Sequence, residues 1–355
     1  MKNRQVVFVH YSSLPGGIEV ILPKVIDHFQ QYLFSAFVIR PHTPGKPDVY
    51  AGKEINVRYG SESNLRAVLR LFRFVRANRD CIFQCFNIGP FFLLILRFAG
   101  VRHLIYSIHG TQYWKNGRQK FILKNLWRCA IRKSYQITSN SVFSGKIFRR
   151  EVFSGNNISL LYNPVDGNVF NPLAGRASKP VPSKIVYCGR LDKGKNLDGW
   201  ILVAAEILKV FPETVFEIYG DGPEHESVRN SIDASGHGNS IFLRGYTANP
   251  EQVFREADLL LFLSRYESFG NVVVESILCG TPVIAGDIPS MKEIFGNYPE
   301  FLVRLDGNVA EAVIQKLKEW DLLNRKCDEA RQEFLGRFSP EQHFEKLNAL
   351  YSHNR

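Results

Sequence analysis

The 355-residue sequence has no long apolar run, no paired cysteines and no cluster of side chains with metal-binding spacing. Its longest apolar stretch, Ile88–Leu96, is far shorter than the ~20 residues that a membrane-spanning helix needs. The six cysteines are scattered without a C-x-x-C pair, so we expect buried thiols in a reducing, cytoplasmic environment. The apolar part of the first run, Val6–Val9, is too short for a signal peptide and predicts a strand. The sequence therefore does not predict a membrane-spanning, disulfide-rich or zinc-binding protein.

Acidic residues are missing from a long part of the first half. Residues 1–167 contain 24 Lys and Arg against 8 Asp and Glu, a net charge of +16, whereas the remainder has 21 against 26, a net charge of −5. Between Asp80 and Glu151 there is no acidic residue, while the same stretch has 12 Lys and Arg. Such a field attracts polyanions, which include nucleic acid, an anionic membrane surface and phosphorylated substrates. An ordinary solvated basic face is the alternative.

Short apolar runs alternate with helical patterns along the whole chain. This alternation predicts an α/β fold with parallel sheets and helices on both faces of each sheet. The length favours two domains, and the stretch 171–183, rich in Pro, Gly and Lys, is the predicted linker. We predict an N-terminal domain of residues 1–167 and a C-terminal domain of residues 168–339.

Two carboxylates, Glu267 and Glu275, lie eight positions apart in a segment that follows the buried-strand pattern Leu259–Leu263. In open α/β sheets, the carboxyl end of such a strand is where ligands bind. The backbone N–H groups at the start of the following helix, a position that favours phosphate, belong to Phe269, Gly270 and Asn271. Two carboxylates beside an anion site predict a ligand with a phosphate centre and hydroxyl-rich ends, such as a sugar nucleotide. The alternative is an ordinary βα turn, and the strand-forming Val272–Val274 would remove the anion site if it formed a strand.

This segment, with Ser268, Phe269 and Gly270 between its two glutamates, resembles the E-x7-E signature of retaining glycosyltransferases of family 4, which are GT-B enzymes. The resemblance implies that Glu267 contacts a hydroxyl of the donor sugar and that Glu275 holds the nucleotide ribose. It also implies the GT-B fold, in which two Rossmann-like domains face a central cleft. The last helix, 340–355, is then expected to pack back onto the first domain.

Further stretches match the same family in the expected order. The run from Gly189 to Asn196 resembles the family's G-R-L-x(3)-K-N stretch, which grips the leaving diphosphate. Those roles fall to Arg190 and Lys195, with Lys193 as a substitute for the lysine. His109 follows a strand and precedes a glycine, as does the family's histidine beside the reacting sugar; a structural histidine is the alternative. The remaining donor-binding candidates are turn residues at strand ends, namely Gly16, Gly17, Gly189, Gly220, Gly222, Gly245 and Tyr246.

The sequence has no D-x-D motif of the kind that GT-A enzymes use to bind a metal. We therefore expect no metal and no other cofactor, with the nucleoside diphosphate sugar as a co-substrate. The leaving diphosphate would be stabilised by Arg190, by Lys195 and by helix N–H groups.

Together these features predict a retaining glycosyltransferase of hexosyl or N-acetylhexosaminyl type. The Ser268–Asn271 run favours a UDP-sugar donor over a GDP-sugar. The basic N-terminal domain favours a saccharide or polyprenyl-diphosphate-linked acceptor in cell-surface polysaccharide or glycolipid assembly, and a location in the cytoplasm or on the inner membrane's cytoplasmic face. The basic segment Leu69–Arg76 fits either a membrane surface or an ordinary sheet-covering helix.

Three other functions stay open. A nucleotide-sugar epimerase has the same fold and donor site. A basic nucleic-acid-binding protein would use the same charge, but no motif that reads nucleic acid is present, so no such partner is expected. A catalytically inactive scaffold would bind the nucleotide without transferring a sugar.

Overall fold

The computed structural model describes residues 4–14, 16–42, 48–61, 63–114, 117–155, 157–173 and 181–353. The chain forms two compact units, Met1–Pro164 with Glu341–Arg355, and Val165–Pro340. The predicted boundary lies at 167/168, and the predicted linker includes residues 174–180, which lie outside the described residues. Each unit contains one parallel sheet with helices around it, so the predicted α/β class is confirmed.

The first unit has a seven-stranded parallel sheet in the order β3-β2-β1-β4-β5-β6-β7. The strands are β1 Arg4–His10, β2 Tyr32–Val38, β3 Asn56–Tyr59, β4 Ile82–Phe86, β5 His103–Ile108, β6 Gln136–Ser139 and β7 Ile158–Leu160. The helices are α1 Leu22–His28, α2 Asn64–Ala77, α3 Pro90–Phe98, α4 Gly117–Ala130 and α5 Val142–Glu151, joined at the chain's end by α13 Pro340–His353.

Helices cover both faces of this sheet. On one face α2, α3, α4 and α5 bury a core that includes Leu71, Leu96 and Phe148. On the other face α1 and α13 bury a second core, and Tyr351 of α13 donates a hydrogen bond to Gln84 Oε1 of β4 at 2.5 Å. The last helix is thus part of the first unit, because it covers this face of the sheet together with α1.

The second unit has a six-stranded parallel sheet in the order β10-β9-β8-β11-β12-β13. The strands are β8 Lys184–Cys188, β9 Val215–Tyr219, β10 Ile241–Gly245, β11 Leu259–Phe262, β12 Val283–Gly286 and β13 Leu302–Val303. The helices are α6 Leu197–Val210, α7 His225–Ser235, α8 Pro250–Glu256, α9 Asn271–Leu278, α10 Pro289–Ile294, α11 Val309–Lys318 and α12 Trp320–Arg337.

The strand orders locate one topological switch point in each sheet. In the first unit it lies between β1 and β4, and in the second between β8 and β11, because the connections run in opposite directions from these pairs. Ligands of open parallel sheets bind outside the carboxyl ends of the strands at such points.

Several predicted elements differ from those observed. The apolar periodicity of residues 18–32 predicts one helix, but α1 begins only at Leu22, with Pro23 in its first turn, a position that proline tolerates. The apolar stretch Ile88–Leu96 forms most of α3. The sequence patterns do not predict four further elements, namely α5, β7, α10 and β13. Val272–Val274 is helical despite its strand propensity, because Val273 and Val274 are fully buried.

Candidate functional site

Two loops meet at the switch point of the second unit. One follows β8 and contains a short 3-10 helix, Lys193–Lys195; the other follows β11 and leads into α9. The backbone N–H of Arg265 donates to the Gly194 carbonyl at 2.9 Å, and Asn196 Nδ2 donates to the Leu263 carbonyl at 3.3 Å. These bonds hold the two predicted donor-binding segments side by side.

Lys195 and Glu267 form an ion pair across these two loops. Lys195 Nζ donates to Glu267 Oε1 at 2.5 Å, and the two side chains are only 16% and 11% exposed. The Lys195 ammonium also lies 5.9 Å from the centre of the Phe262 ring. Charges this far removed from water interact more strongly than surface pairs. The predicted diphosphate-binding lysine and the predicted sugar-binding glutamate therefore lie at one place.

Glu275 lies on α9 and faces the end of β8. Burial raises the pKa of the Cys188 thiol to about 12, and the nearby Glu275 carboxylate adds to that rise. Glu275 itself is half-buried. The start of α9 is at Gly270, whose φ of +103° is unfavourable for other residues, and whose Cα lies so close to Met291 that a Cβ would be 2.8 Å from its Cε. The helix N-terminus and Glu275 thus lie at the same edge of the sheet.

Arg190 is an exposed cation of the site. Its side chain is 71% exposed, and its Nε lies 4.0 Å from Asp192 Oδ2. The Tyr187 hydroxyl donates to the Arg190 carbonyl at 2.9 Å and fixes the backbone there. Lys193 is also exposed. The structure therefore pairs Lys195 but leaves Arg190 extended into solvent, where a ligand phosphate can reach it.

The predicted glycine turns lie together at the ends of β8, β9 and β10. Gly189 N–H donates to the Tyr219 carbonyl at 3.0 Å, and Gly220 N–H donates to the Gly245 carbonyl at 2.7 Å. A Cβ at Gly220 would collide with the Gly189 carbonyl oxygen, so only glycine fits there. A Cβ at Gly222 would likewise collide with the backbone of Leu191. Ser268 of the β11 loop and Asn271 at the start of α9 are half-buried, and Tyr246 beside Gly245 is 60% exposed.

His109 lies at the end of β5 in the first unit. Its backbone N–H donates to Asn87 Oδ1 at 2.8 Å, while its Nδ1 is buried and has no hydrogen-bond partner among the described residues. Burial lowers the pKa of His109 to about 3, with a smaller contribution from its electrostatic interaction with His343 on α13. The imidazole is therefore neutral at ordinary pH, with a buried nitrogen able to bind a further polar group.

Gly16 and Gly17 follow β1 in the same unit, beside a polar cluster that sequence reasoning missed. The Asp48 carboxylate accepts hydrogen bonds from Ser13 Oγ at 3.1 Å, from the Tyr50 backbone N–H at 2.9 Å and from the Tyr59 hydroxyl. The Val49 N–H donates to the Ser13 carbonyl at 2.9 Å. The cluster therefore anchors the loop that leads to the two glycines.

Asn87 and Ser264 are two further residues that the sequence prediction did not single out. Asn87 follows β4 with a φ of +48°, a conformation that Asn tolerates better than most residues. Ser264 follows β11, and its buried Oγ has no hydrogen-bond partner within the described part of the chain. Asn87 directly follows its strand and Ser264 lies two positions after the end of β11, and a polar residue at a strand end is the signal that identified His109. By contrast, Ser141 caps α5 and bonds Ser144, so this pair has a local structural role.

Acidic, histidine and cysteine side chains do not gather into a metal-binding group. In the ranges that the structure describes, no three or more of them are placed to hold a metal ion. Within the same ranges, no helix is both long enough and apolar enough to cross a bilayer.

Comparison with known proteins gives a consistent picture. The family model for glycosyl transferases group 1 matches residues 175–333. An uncharacterized 41.2 kDa protein in the cps region of Klebsiella pneumoniae is 30% identical over 307 residues, which are 80% of this chain and 82% of that protein. The poly(glycerol-phosphate) alpha-glucosyltransferase of Bacillus subtilis is 28% identical over 186 residues, 51% of this chain and 26% of that enzyme. The chain thus spans only a quarter to a half of the first curated relatives it matches.

The fold is also shared with solved structures. The structure of Anabaena HepE in complex with UDP and glucose matches with a TM-score of 0.79 over 98% of this chain and 99% of that one, at 17% sequence identity. The predicted GT-B fold is therefore confirmed.

Proposed function

Because the chain belongs to the glycosyl transferases group 1 family, we propose that it is a retaining glycosyltransferase that uses a UDP-sugar. The observation that carries this proposal is the Lys195–Glu267 ion pair, which joins the two loops at the switch point of the second unit. The family model covers this unit. An ion pair that is mostly shielded from water, at the carboxyl edge of a parallel sheet where ligands bind, is a functional-site candidate on physical grounds.

The donor fits this edge through groups of complementary charge. The diphosphate would lie against Arg190, Lys195 and the N-terminus of α9, which favours anions. Glu267 and Glu275 would accept hydrogen bonds from hydroxyls of the sugar and of the ribose. Glu267 also neutralises the charge of Lys195. UDP is the favoured nucleotide, and HepE, which has the same fold, was crystallised with UDP and glucose.

The proposed reaction breaks the bond between the anomeric carbon and the diphosphate oxygen and forms a bond to an acceptor oxygen on the same face. The acceptor's proton passes to the leaving diphosphate. Negative charge grows on that diphosphate in the transition state, so cations that contact it then lower the barrier. With Arg190 and Lys195 in these roles, the transfer is proposed to need no metal.

The acceptor is proposed to be a saccharide or a lipid-diphosphate-linked sugar of cell-surface assembly, with a hexosyl or N-acetylhexosaminyl group transferred. The strong positive charge of residues 1–167 favours an acceptor that carries phosphate. The Bacillus subtilis relative is named for a phosphate-containing polymer, poly(glycerol-phosphate).

Nucleotide binding tests this proposal most directly. Thermal unfolding is measured with UDP, GDP, ADP and their sugars in the presence of EDTA, for wild type, Glu275→Ala and Glu206→Ala. We expect UDP compounds to raise the unfolding midpoint of wild type and of Glu206→Ala, an exposed control on α6, and to have no effect on Glu275→Ala.

Two results would contradict parts of the proposal. No stabilisation by any nucleotide would overturn the donor site, whereas stabilisation or turnover that requires added Mg²⁺ or Mn²⁺ would overturn metal independence. An isomerised nucleotide sugar formed without an acceptor would identify an epimerase instead.

A further inference from the structure

The helical layer on one face of the first sheet carries exposed apolar side chains that face solvent. We define the α2–α4 surface by the apolar residues Leu65 and Leu69 of α2, Phe91 and Phe98 of α3, and Phe121 and Ile122 of α4. Phe98 and Phe121 are each 75% exposed and Leu65 is 70% exposed. In the part of the chain that the structure describes, every exposed phenylalanine lies on this surface.

The three helices lie next to each other, so these side chains belong to one face. Residues of α2, α3 and α4 share one core cluster on the same side of the sheet. Phe91 and Phe98 are seven positions apart on α3, and Leu65 and Leu69 are four apart on α2, so each pair projects from one side of its helix. The opposite sides of these helices hold the buried core residues Leu71, Leu96 and Trp127.

The same surface is strongly basic. The helices α2, α3 and α4 contain nine Lys and Arg and no Asp or Glu. The cations that alternate with the apolar side chains in exposed positions are Arg66, Arg70, Arg73, Arg76 and Arg128. Helices that expose aromatic and aliphatic side chains together with Lys and Arg are typical of the membrane–water interface.

We propose that the α2–α4 surface docks onto an anionic lipid bilayer. Phe98, Phe121 and Leu65 would enter the boundary between headgroups and acyl chains, while the surrounding arginines contact lipid phosphates. This inference deepens the proposed function, because it places the first unit where a lipid-linked acceptor is presented. Within the segment Leu69–Arg76 that the sequence suggests, Leu69 and the arginines lie on this surface, whereas Leu71 and Val75 are buried against the sheet.

The chemistry of the surface favours a bilayer over two other occupants. Leucine and isoleucine side chains do not stack on bases, whereas nucleic-acid surfaces rely on aromatic stacking and hydrogen bonds. A second copy of this chain would bring like charges together across a two-fold axis, which opposes a symmetric dimer through this face.

Flotation with lipid vesicles tests the proposal. Vesicles of phosphatidylcholine alone are compared with vesicles that also contain phosphatidylglycerol. We expect binding only to the anionic vesicles, weakened by added salt because salt screens the charge attraction. The double variant Phe98→Ser/Phe121→Ser should lower the partition coefficient by about tenfold or more, and Arg66→Gln/Arg73→Gln by roughly fivefold per charge removed.

Matched variants separate docking from folding and from donor binding. Leu202→Ser changes a side chain that is 68% exposed on α6 in the other unit, and it should float like wild type. All variants change exposed side chains, so circular dichroism and the unfolding midpoint should match wild type, and UDP binding should be kept. Vesicle binding without any UDP binding would leave the surface assignment standing while the proposed function fails.

Three outcomes would overturn the proposal. The first is that wild type does not bind anionic vesicles at low salt. The second is that Phe98→Ser/Phe121→Ser binds these vesicles as strongly as wild type does. The third is that this double variant changes from an oligomer to a monomer while no vesicle binding is seen. A gel shift with RNA that depends on the same arginines, without vesicle binding, would identify nucleic acid as the occupant instead.

Discussion

At the scale of single residues, the candidate site depends on one ion pair. Lys195 and Glu267 lie close to each other and are mostly shielded from water, so removal of one partner leaves a poorly solvated charge. The pair also connects the β8 loop to the β11 loop, which hold the other candidate donor ligands. Its energetic coupling and its role in binding are therefore measurable with the same variants.

We predict a marked non-additivity in the double-mutant cycle of this pair. Lys195→Met and Glu267→Gln should each lower the free energy of unfolding by about 1–3 kcal/mol, because each leaves a mostly shielded charge without its partner. The double variant should lose less than the sum, with a coupling of about 1–3 kcal/mol. Urea denaturation of the four proteins measures it.

The exposed pair Arg304–Asp306, whose side chains are 77% and 70% exposed, provides the control. Arg304→Met should leave the free energy of unfolding unchanged within error, because water screens such pairs. Additive effects of Lys195→Met and Glu267→Gln would show that the two charges do not interact in solution.

At the scale of elements, the last helix has a defined role in the first unit. Tyr351 of α13 is fully buried, and its hydroxyl donates to Gln84 Oε1 on β4. Phe344 of the same helix stacks on His28 with ring centres 4.1 Å apart. These contacts join the chain's end to the strand that borders the switch point of the first sheet.

We predict graded losses at Tyr351. Tyr351→Phe keeps the ring but leaves the Gln84 oxygen without its donor, which costs about 1–3 kcal/mol. Tyr351→Ala also opens a cavity, so the total loss should reach about 3–5 kcal/mol. Urea denaturation monitored by circular dichroism measures both. Equal stabilities of the two variants would mean that the aromatic packing of α13 contributes nothing to the unit.

The elements also show what the sequence could predict. The patterns of residues 197–210 and 136–139 predict a helix and a strand, and the structure forms α6 and β6 there, because both patterns are local. The sequence predicts Glu267 of the β11 loop and Glu275 of α9 as site residues because strand, loop and helix follow each other directly. The Lys195–Glu267 pairing and the Asp48 cluster could not be predicted, since both depend on which loops the strand order brings together.

At the scale of the whole molecule, the first unit holds three histidines that are kept neutral by burial. Burial lowers the pKa of His10 to about 4, of His109 to about 3 and of His343 to about 4, from an ordinary value of 6.5. His10 contacts the Ser12 carbonyl and the Tyr50 hydroxyl, and His343 contacts the Tyr162 carbonyl. All three histidines belong to the first unit, which includes α13.

We therefore predict that acid destabilises the first unit before its carboxylates titrate. The unfolded chain binds protons at these histidines below pH 6.5, whereas the folded chain does not until the pH nears 4. The contribution of the neutral imidazoles to the free energy of unfolding is fully present above about pH 6.5. As the pH drops from there toward the pKa values of the folded chain, this free energy falls by up to about 1.4 kcal/mol per pH unit for each histidine. Urea denaturation between about pH 7 and about pH 5, with peptide-level hydrogen exchange to separate the two units, measures the slope. His343→Gln, whose amide can still donate to the Tyr162 carbonyl, should remove about a third of the slope in the first unit. A first unit with the same stability across this range would show that these imidazoles titrate alike in the folded and unfolded chains.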